Sequence, residues 1–142
     1  MNVRIIEEIV YKGGIMKRLY KILVVDDDPK ALELMEAILI SAGYYVTTLN
    51  DSTRMIKTVR DVEPDLILLD VMMPFEDGYT ILNKLKKGLN RSNIPIVMVT
   101  ALADDGHKVF AAMDGASAYI TKPIDKKVLL ETISHFLGDS GS

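Results

Sequence analysis

Five short apolar runs, Ile22–Val25, Tyr45–Leu49, Leu66–Leu69, Ile96–Val99 and Ala118–Thr121, punctuate the sequence, and amphipathic segments separate them. The middle runs have almost no polar alternation, which is the pattern of strands buried on both faces of a parallel sheet. Each gap between runs leaves room for a crossover helix. The helices carry their own signals. Asp28-Pro29 supplies a capping acid and a first-turn proline, Ala31, Leu34, Met35 and Ile38 follow at i, i+3, i+4, i+7, and Gly43 stops the segment. Further helices are expected from Ser52 to about 61, from Gly78 to about 87, over about 104–114 with Gly115 closing it, and over about Lys126–Leu137. Five βα units with right-handed crossovers imply an α/β, doubly wound parallel sheet with helices on both faces.

A chain of 142 residues suits one compact domain, and 49% hydrophobic residues suffice for a sizeable core. The formal charge of −3 gives no electrostatic footprint for nucleic acid or an anionic membrane. With no cysteine there is no disulfide scaffold, thiolate metal site or thiol catalysis. No apolar stretch approaches the roughly 18 residues of a membrane span, and Glu7 and Glu8 interrupt any secretory signal. The chain therefore reads as soluble and cytoplasmic.

In doubly wound sheets, ligands bind beyond the carboxyl ends of the strands. The residues there are Asp26, Asp27 and Asp28 after the first run, Asp70 after the third, Thr100 after the fourth and Lys122 after the fifth. Asn50-Asp51 follows the second run, and an edge position for that strand keeps the pair apart from the rest. Each residue has an ordinary explanation: Asp28 as a helix cap, Asp26 and Asp27 as loop acids, Thr100 as a β-branched strand residue, Lys122 as a surface lysine. Their convergence on one sheet edge does not. Two like charges about 4 Å apart cost around 4 kcal/mol at an effective dielectric near 20, so a raised pKa, the lysine or a hard cation must compensate. Oxygen ligands without sulfur or imidazole favour Mg²⁺ or Mn²⁺ over zinc.

The segments KILVVDDDP, PDLILLDVMMP, VMVTAL and GASAYITKP resemble, in order and spacing, the receiver domain of two-component response regulators over about residues 20–137. The resemblance implies a flavodoxin-like fold with sheet order 2-1-3-4-5. It further implies that Asp70 is the phosphoacceptor, taking a phosphoryl group from the phosphohistidine of a sensor histidine kinase or phosphotransfer protein. Asp27 resembles the direct Mg²⁺ ligand, Asp26 a ligand acting through metal-bound water, and the backbone carbonyl of Met72 a further ligand. Thr100 is similar to the switch hydroxyl, Lys122 to the lysine that pairs with the phosphoryl group, and Tyr119 to the aromatic rotamer switch. Pro123 resembles the cis-proline that aims the lysine. The implied role is a regulatory phosphoacceptor rather than an enzyme, one that assists its own phosphorylation and dephosphorylation. Its output is a changed contact face formed by the fourth helix, fifth strand and fifth helix, offered to a downstream protein or a second copy. No direct nucleic-acid or membrane partner is implied.

Several features depart from the family pattern or add to it. Met72 and Leu102, which flank the phosphoryl group by analogy, are apolar and cannot readily orient an attacking water, so slow self-dephosphorylation is expected. Small Ala101 leaves access to Asp70 open. Phe110 lies about 100° around its helix from the Val109–Ala112–Ala116 stripe, as a core aromatic or an output contact. Residues 1–19 precede the family's usual start. Val3, Ile6 and Val10 suggest a short helical stripe broken by Gly13-Gly14; alternatively Met16-Lys17-Arg18 marks the start, with a purine-rich ribosome-binding sequence encoding Lys12-Gly13-Gly14. Residues 138–142, GDSGS, read as a flexible tail, leaving open a stand-alone receiver or part of a longer regulator.

Three other functions compete. A haloacid-dehalogenase-like phosphatase wants a second acid where Met72 stands. A flavodoxin-like cofactor carrier wants a Ser/Thr/Gly-rich phosphate loop where three aspartates stand. A pseudo-receiver acting without phosphorylation usually lacks the acceptor, an acid or the lysine; all are present, and this remains the alternative reading.

Overall fold

The computed structural model describes residues 4–6, 9–12, 15–70, 78–88, 93–101 and 115–138. Three short strands, β1 (Arg4–Ile6), β2 (Ile9–Lys12) and β3 (Ile15–Arg18), form an antiparallel sheet of their own. Then follow β4 (Lys21–Val25), α1 (Pro29–Ser41), β5 (Tyr45–Leu49), a 3₁₀ turn (Ser52–Arg54) leading into α2 (Met55–Val62), β6 (Leu66–Asp70), α3 (Gly78–Gly88), β7 (Ile96–Thr100), β8 (Ala118–Thr121) and α4 (Lys126–Leu137). The expected helix over 104–114, with Phe110, and the tail residues 139–142 lie outside the described residues.

The main sheet has the order β5-β4-β6-β7-β8, every neighbouring pair parallel. Counted within this sheet it is 2-1-3-4-5, as the resemblance implied. Strands β6 and β7 are buried at every position, because helices cover both sides. Side chains alternate between two cores. Leu23, Val25, Ile67, Leu69, Ile96 and Met98 pack with Met55 and Val59 of α2 and Ile81, Leu82 and Leu85 of α3. Ile22, Val24, Leu66, Leu68, Val97 and Val99 pack with Leu32, Met35 and Leu39 of α1 and Leu129 and Ile133 of α4. The period-two strand pattern thus assigns α1 and α4 to one layer, α2 and α3 to the other.

The helix boundaries have local chemical causes. The Asp28 carboxylate accepts the Lys30 N–H at 3.0 Å, Pro29 occupies the first turn, and Gly43 follows the helix at φ 94°. Asp125 accepts the Val128 N–H at 3.1 Å to start α4.

The helical stripe expected from Val3, Ile6 and Val10 is not formed; Ile6 and Val10 lie in the antiparallel strands β1 and β2. Ile5, Ile6, Ile9, Val10 and Ile15 are β-branched and prefer a pleated backbone. Strand β2 pairs antiparallel with β3, with Lys12 opposite Ile15.

Candidate functional site

The strand registers bring the expected residues to one end of the sheet. Val25 pairs with Leu69, Asp70 with Val99, and Thr100 with Thr121, so Asp26 and Asp70 lie level at the strand ends, with Thr100 one residue and Lys122 two residues further along. The Asp26 N–H extends the β4–β5 ladder by donating to the Leu49 carbonyl at 3.1 Å. The Lys122 N–H donates to the Thr100 carbonyl at 2.7 Å, tying the base of the lysine to the end of β7.

Asp26 is fully buried, Asp70 is 5% exposed and Thr100 2% exposed. Such placement of carboxylates requires partners. The Asp26 Oδ1 accepts the Asp28 N–H at 2.9 Å and its Oδ2 accepts from the Lys122 Nζ at 2.8 Å. The same ammonium stands 3.9 Å from the Asp70 Oδ2. Burial works against the Lys122 charge, yet the Asp26 hydrogen bond and the charges of Asp26, Asp70 and Asp28 outweigh it and hold the ammonium above its ordinary 10.5. Asp28 therefore has a second role beside its cap, which its place in the acidic triplet signals.

Asp27 is exposed at the mouth. One oxygen from each of Asp26, Asp27 and Asp70 falls within 4.8 Å of the others. Three carboxylates with no sulfur or imidazole donor, two of them buried, form a donor set that fits a hard divalent cation.

Tyr119 is half-buried against the core on the α2–α3 side. Ala101 is exposed directly after Thr100. The Lys122–Pro123 peptide bond is cis, as the resemblance implied. Asp51 stands apart, as its edge strand dictates: its carboxylate accepts from the Thr53 N–H at 2.9 Å and the Thr53 hydroxyl at 2.7 Å. Met72 and Leu102 lie outside the described residues. No helix among the described residues is long and apolar enough to cross a membrane.

Comparison with known proteins agrees with this arrangement. A family model for the response regulator receiver domain matches residues 22–134. Response regulator PleD of Caulobacter vibrioides is 43% identical over 114 residues, covering 80% of this chain and 25% of that protein. The DNA-binding regulator RpaA of Synechocystis is 35% identical over 82% of this chain and 48% of its own length. Protein PilH of Pseudomonas aeruginosa is 33% identical, covering 82% of this chain and 97% of PilH. The chain thus spans a quarter to a half of PleD and RpaA, and nearly all of PilH. Among solved structures, a CheY-like receiver protein from Methanospirillum hungatei superposes with a TM-score of 0.77 at 33% identity, over 86% of this chain and 96% of that one. The BeF3-activated N-terminal receiver domain of Klebsiella pneumoniae RstA gives 0.75 at 33% identity, over 82% and 97%.

Proposed function

The chain belongs to the response-regulator receiver family of two-component signalling, and from that premise we propose that Asp70 accepts a phosphoryl group from the phosphohistidine of a sensor kinase or phosphotransfer protein. The carrying observation is the constellation of Asp70 with Asp26, Asp27 and Lys122 at one sheet end. One Asp70 carboxylate oxygen forms the bond to phosphorus as the phosphorus–nitrogen bond of phosphohistidine breaks, leaving an acyl phosphate and a free imidazole. The attack is opposed by charge, since both partners are anionic. Lys122 offsets that charge from the side of β8, and Thr100 stands at the end of β7 as donor to a phosphoryl oxygen. Asp26, Asp27, Asp70 and the Met72 carbonyl would hold Mg²⁺ (or Mn²⁺), which when bound neutralises charge on the transferring group. Asp26 already commits an oxygen each to Asp28 and Lys122, which supports a water-mediated role for it and a direct one for Asp27.

A phosphoryl group adds roughly −1.5 to −2 charge. Thr100 then turns toward it, Tyr119 fills the space released, and the face that includes β8 and α4 shifts between two populations that a downstream protein or second copy distinguishes.

Incubation with a small-molecule phosphodonor and Mg²⁺, followed by intact mass, tests the reading. One added phosphoryl group is expected on the wild type and none on Asp70→Asn; a gain surviving in the variant would falsify the acceptor assignment. No gain in either protein favours the module acting without phosphorylation. With apolar Met72 and Leu102, the phosphorylated form is expected to be long-lived, and Leu102→Glu to shorten its lifetime in a radiolabel decay assay.

A further inference from the structure

We propose that a second copy of this chain lays the α1 stripe Glu33–Glu36–Ala37–Ile40 against the basic surface along the α2–α3 seam, where Lys57, Arg60, Lys84 and Lys87 stand. The two surfaces are complementary and lie on opposite sides of the sheet, so they can meet only between molecules.

The two helices pack closely along that seam. The Arg60 Nη2 donates to the Gly88 carbonyl at 2.9 Å, and a Cβ placed on Gly88 would stand 3.0 Å from the Ile56 Cδ1. At 100° per residue, Arg60 and Lys57 follow Ile56 on the outer flank of α2, while Lys84 and Lys87 flank the buried Ile81 and Gly88 edge of α3. All four cations belong to exposed residues, around half-buried Ile56. Arg60 and Lys87 sit in last turns, where the helix dipole welcomes a cation. That account fails for Lys57, which stands in the first turn of α2, where the same dipole disfavours it. No acidic side chain among the described residues pairs with Lys57 or Lys87.

The stripe on α1 is the counterpart. Glu33, Glu36, Ala37 and Ile40 follow i, i+3, i+4, i+7 spacing and share an arc of about 100°. Ile40 is 56% exposed. Neither glutamate pairs with a cation among the described residues. Both lie beyond the first three residues of α1, so capping does not explain them. Ile40 at one end of the stripe supplies an apolar contact for half-buried Ile56, and the two glutamates supply the charge that meets the cations. Because the two patches differ, the contact is heterologous and leaves each molecule one free half, so chains of copies grow with concentration. A net charge of −3 and the carboxylates at the strand ends argue against a nucleic acid as occupant.

Sedimentation velocity of the full chain supplies the test. Self-association is expected with a dissociation constant on the order of 0.1–1 mM, weakened at least about tenfold when salt rises from about 0.01 M to about 1 M. Glu33→Lys/Glu36→Lys and Lys57→Glu/Lys87→Glu should each be monomeric, their equimolar mixture should grow chains in which the two variants alternate, and all four changes in one chain should restore assembly. Circular dichroism verifies that each variant is folded. A wild type that stays monomeric at about 1 mM and low salt overturns the proposal, as does failure of the fourfold variant to reassemble. Saturable binding of a single-stranded oligonucleotide through Lys57 and Lys87, with no self-association, overturns it as well.

Discussion

At the scale of single residues, the sheet end holds more negative charge than one lysine balances. The Lys122 ammonium bonds Asp26 at 2.8 Å but stands 3.9 Å from Asp70, whose carboxylate also meets those of Asp26 and Asp27. In metal-free protein, Asp70→Asn should therefore raise stability by about 0.5–2 kcal/mol, the usual range when a functional group is released from strain. Urea unfolding without divalent ions measures this; a loss instead would mean that attraction to Lys122 outweighs repulsion from the acids. Lys122→Met acts in the opposite direction, because fully buried Asp26 loses its ammonium partner. A cost of about 1–3 kcal/mol is expected, mostly recovered when Asp26→Asn is added, as a double-mutant cycle would reveal.

Among the elements, caps do work that titration can isolate. The Asp51 carboxyl is held below its ordinary 3.8 by the Thr53 hydroxyl first and the Thr53 N–H second, with burial opposing and Arg54 assisting. A folded-state value below the unfolded one stabilises above 3.8 and loses that contribution as pH falls through the folded value. Asn caps without a charge, so the stability advantage of wild type over Asp51→Asn should be present at neutral pH and close in acid, as thermal unfolding across pH would follow. The strands of the main sheet were legible in the sequence because Leu66–Leu69 and Ile96–Val99 are too uniformly apolar to suit anything but a doubly covered strand. The acids at their ends were legible because each follows its run directly. The 3₁₀ entry to α2 was not, since Ser52–Arg54 carries the same capping signal as an α-helical turn. The arm was misjudged because Val3, Ile6 and Val10 mimic helical spacing, while the β-branched run around them favours a pleat. The Asp26–Lys122 bond could not be foreseen either, since which of two neighbouring acids turns inward depends on tertiary placement.

At the scale of the whole molecule, the described residues form two sheets, and no described strand of one is hydrogen-bonded to a strand of the other. The family match runs from residue 22 to residue 134 and leaves residues 1–19 outside it. Removal of residues 1–19 should therefore leave a cooperatively folding unit that loses no more than about 1 kcal/mol. Denaturant unfolding of the shortened chain measures this, and a collapse of cooperativity would show that the arm is integral to the domain.

Pairing of Asp70 with Val99 makes the central ladder a ruler. The acceptor's address is set by counting residues from Leu66, which brings its carboxylate to 3.9 Å from the Lys122 ammonium. Delete one leucine from that run and every later side chain swaps cores, taking the aspartate out of reach of its lysine while the composition hardly changes. Within that run, one apolar letter exchanged for another does less harm than one letter missing.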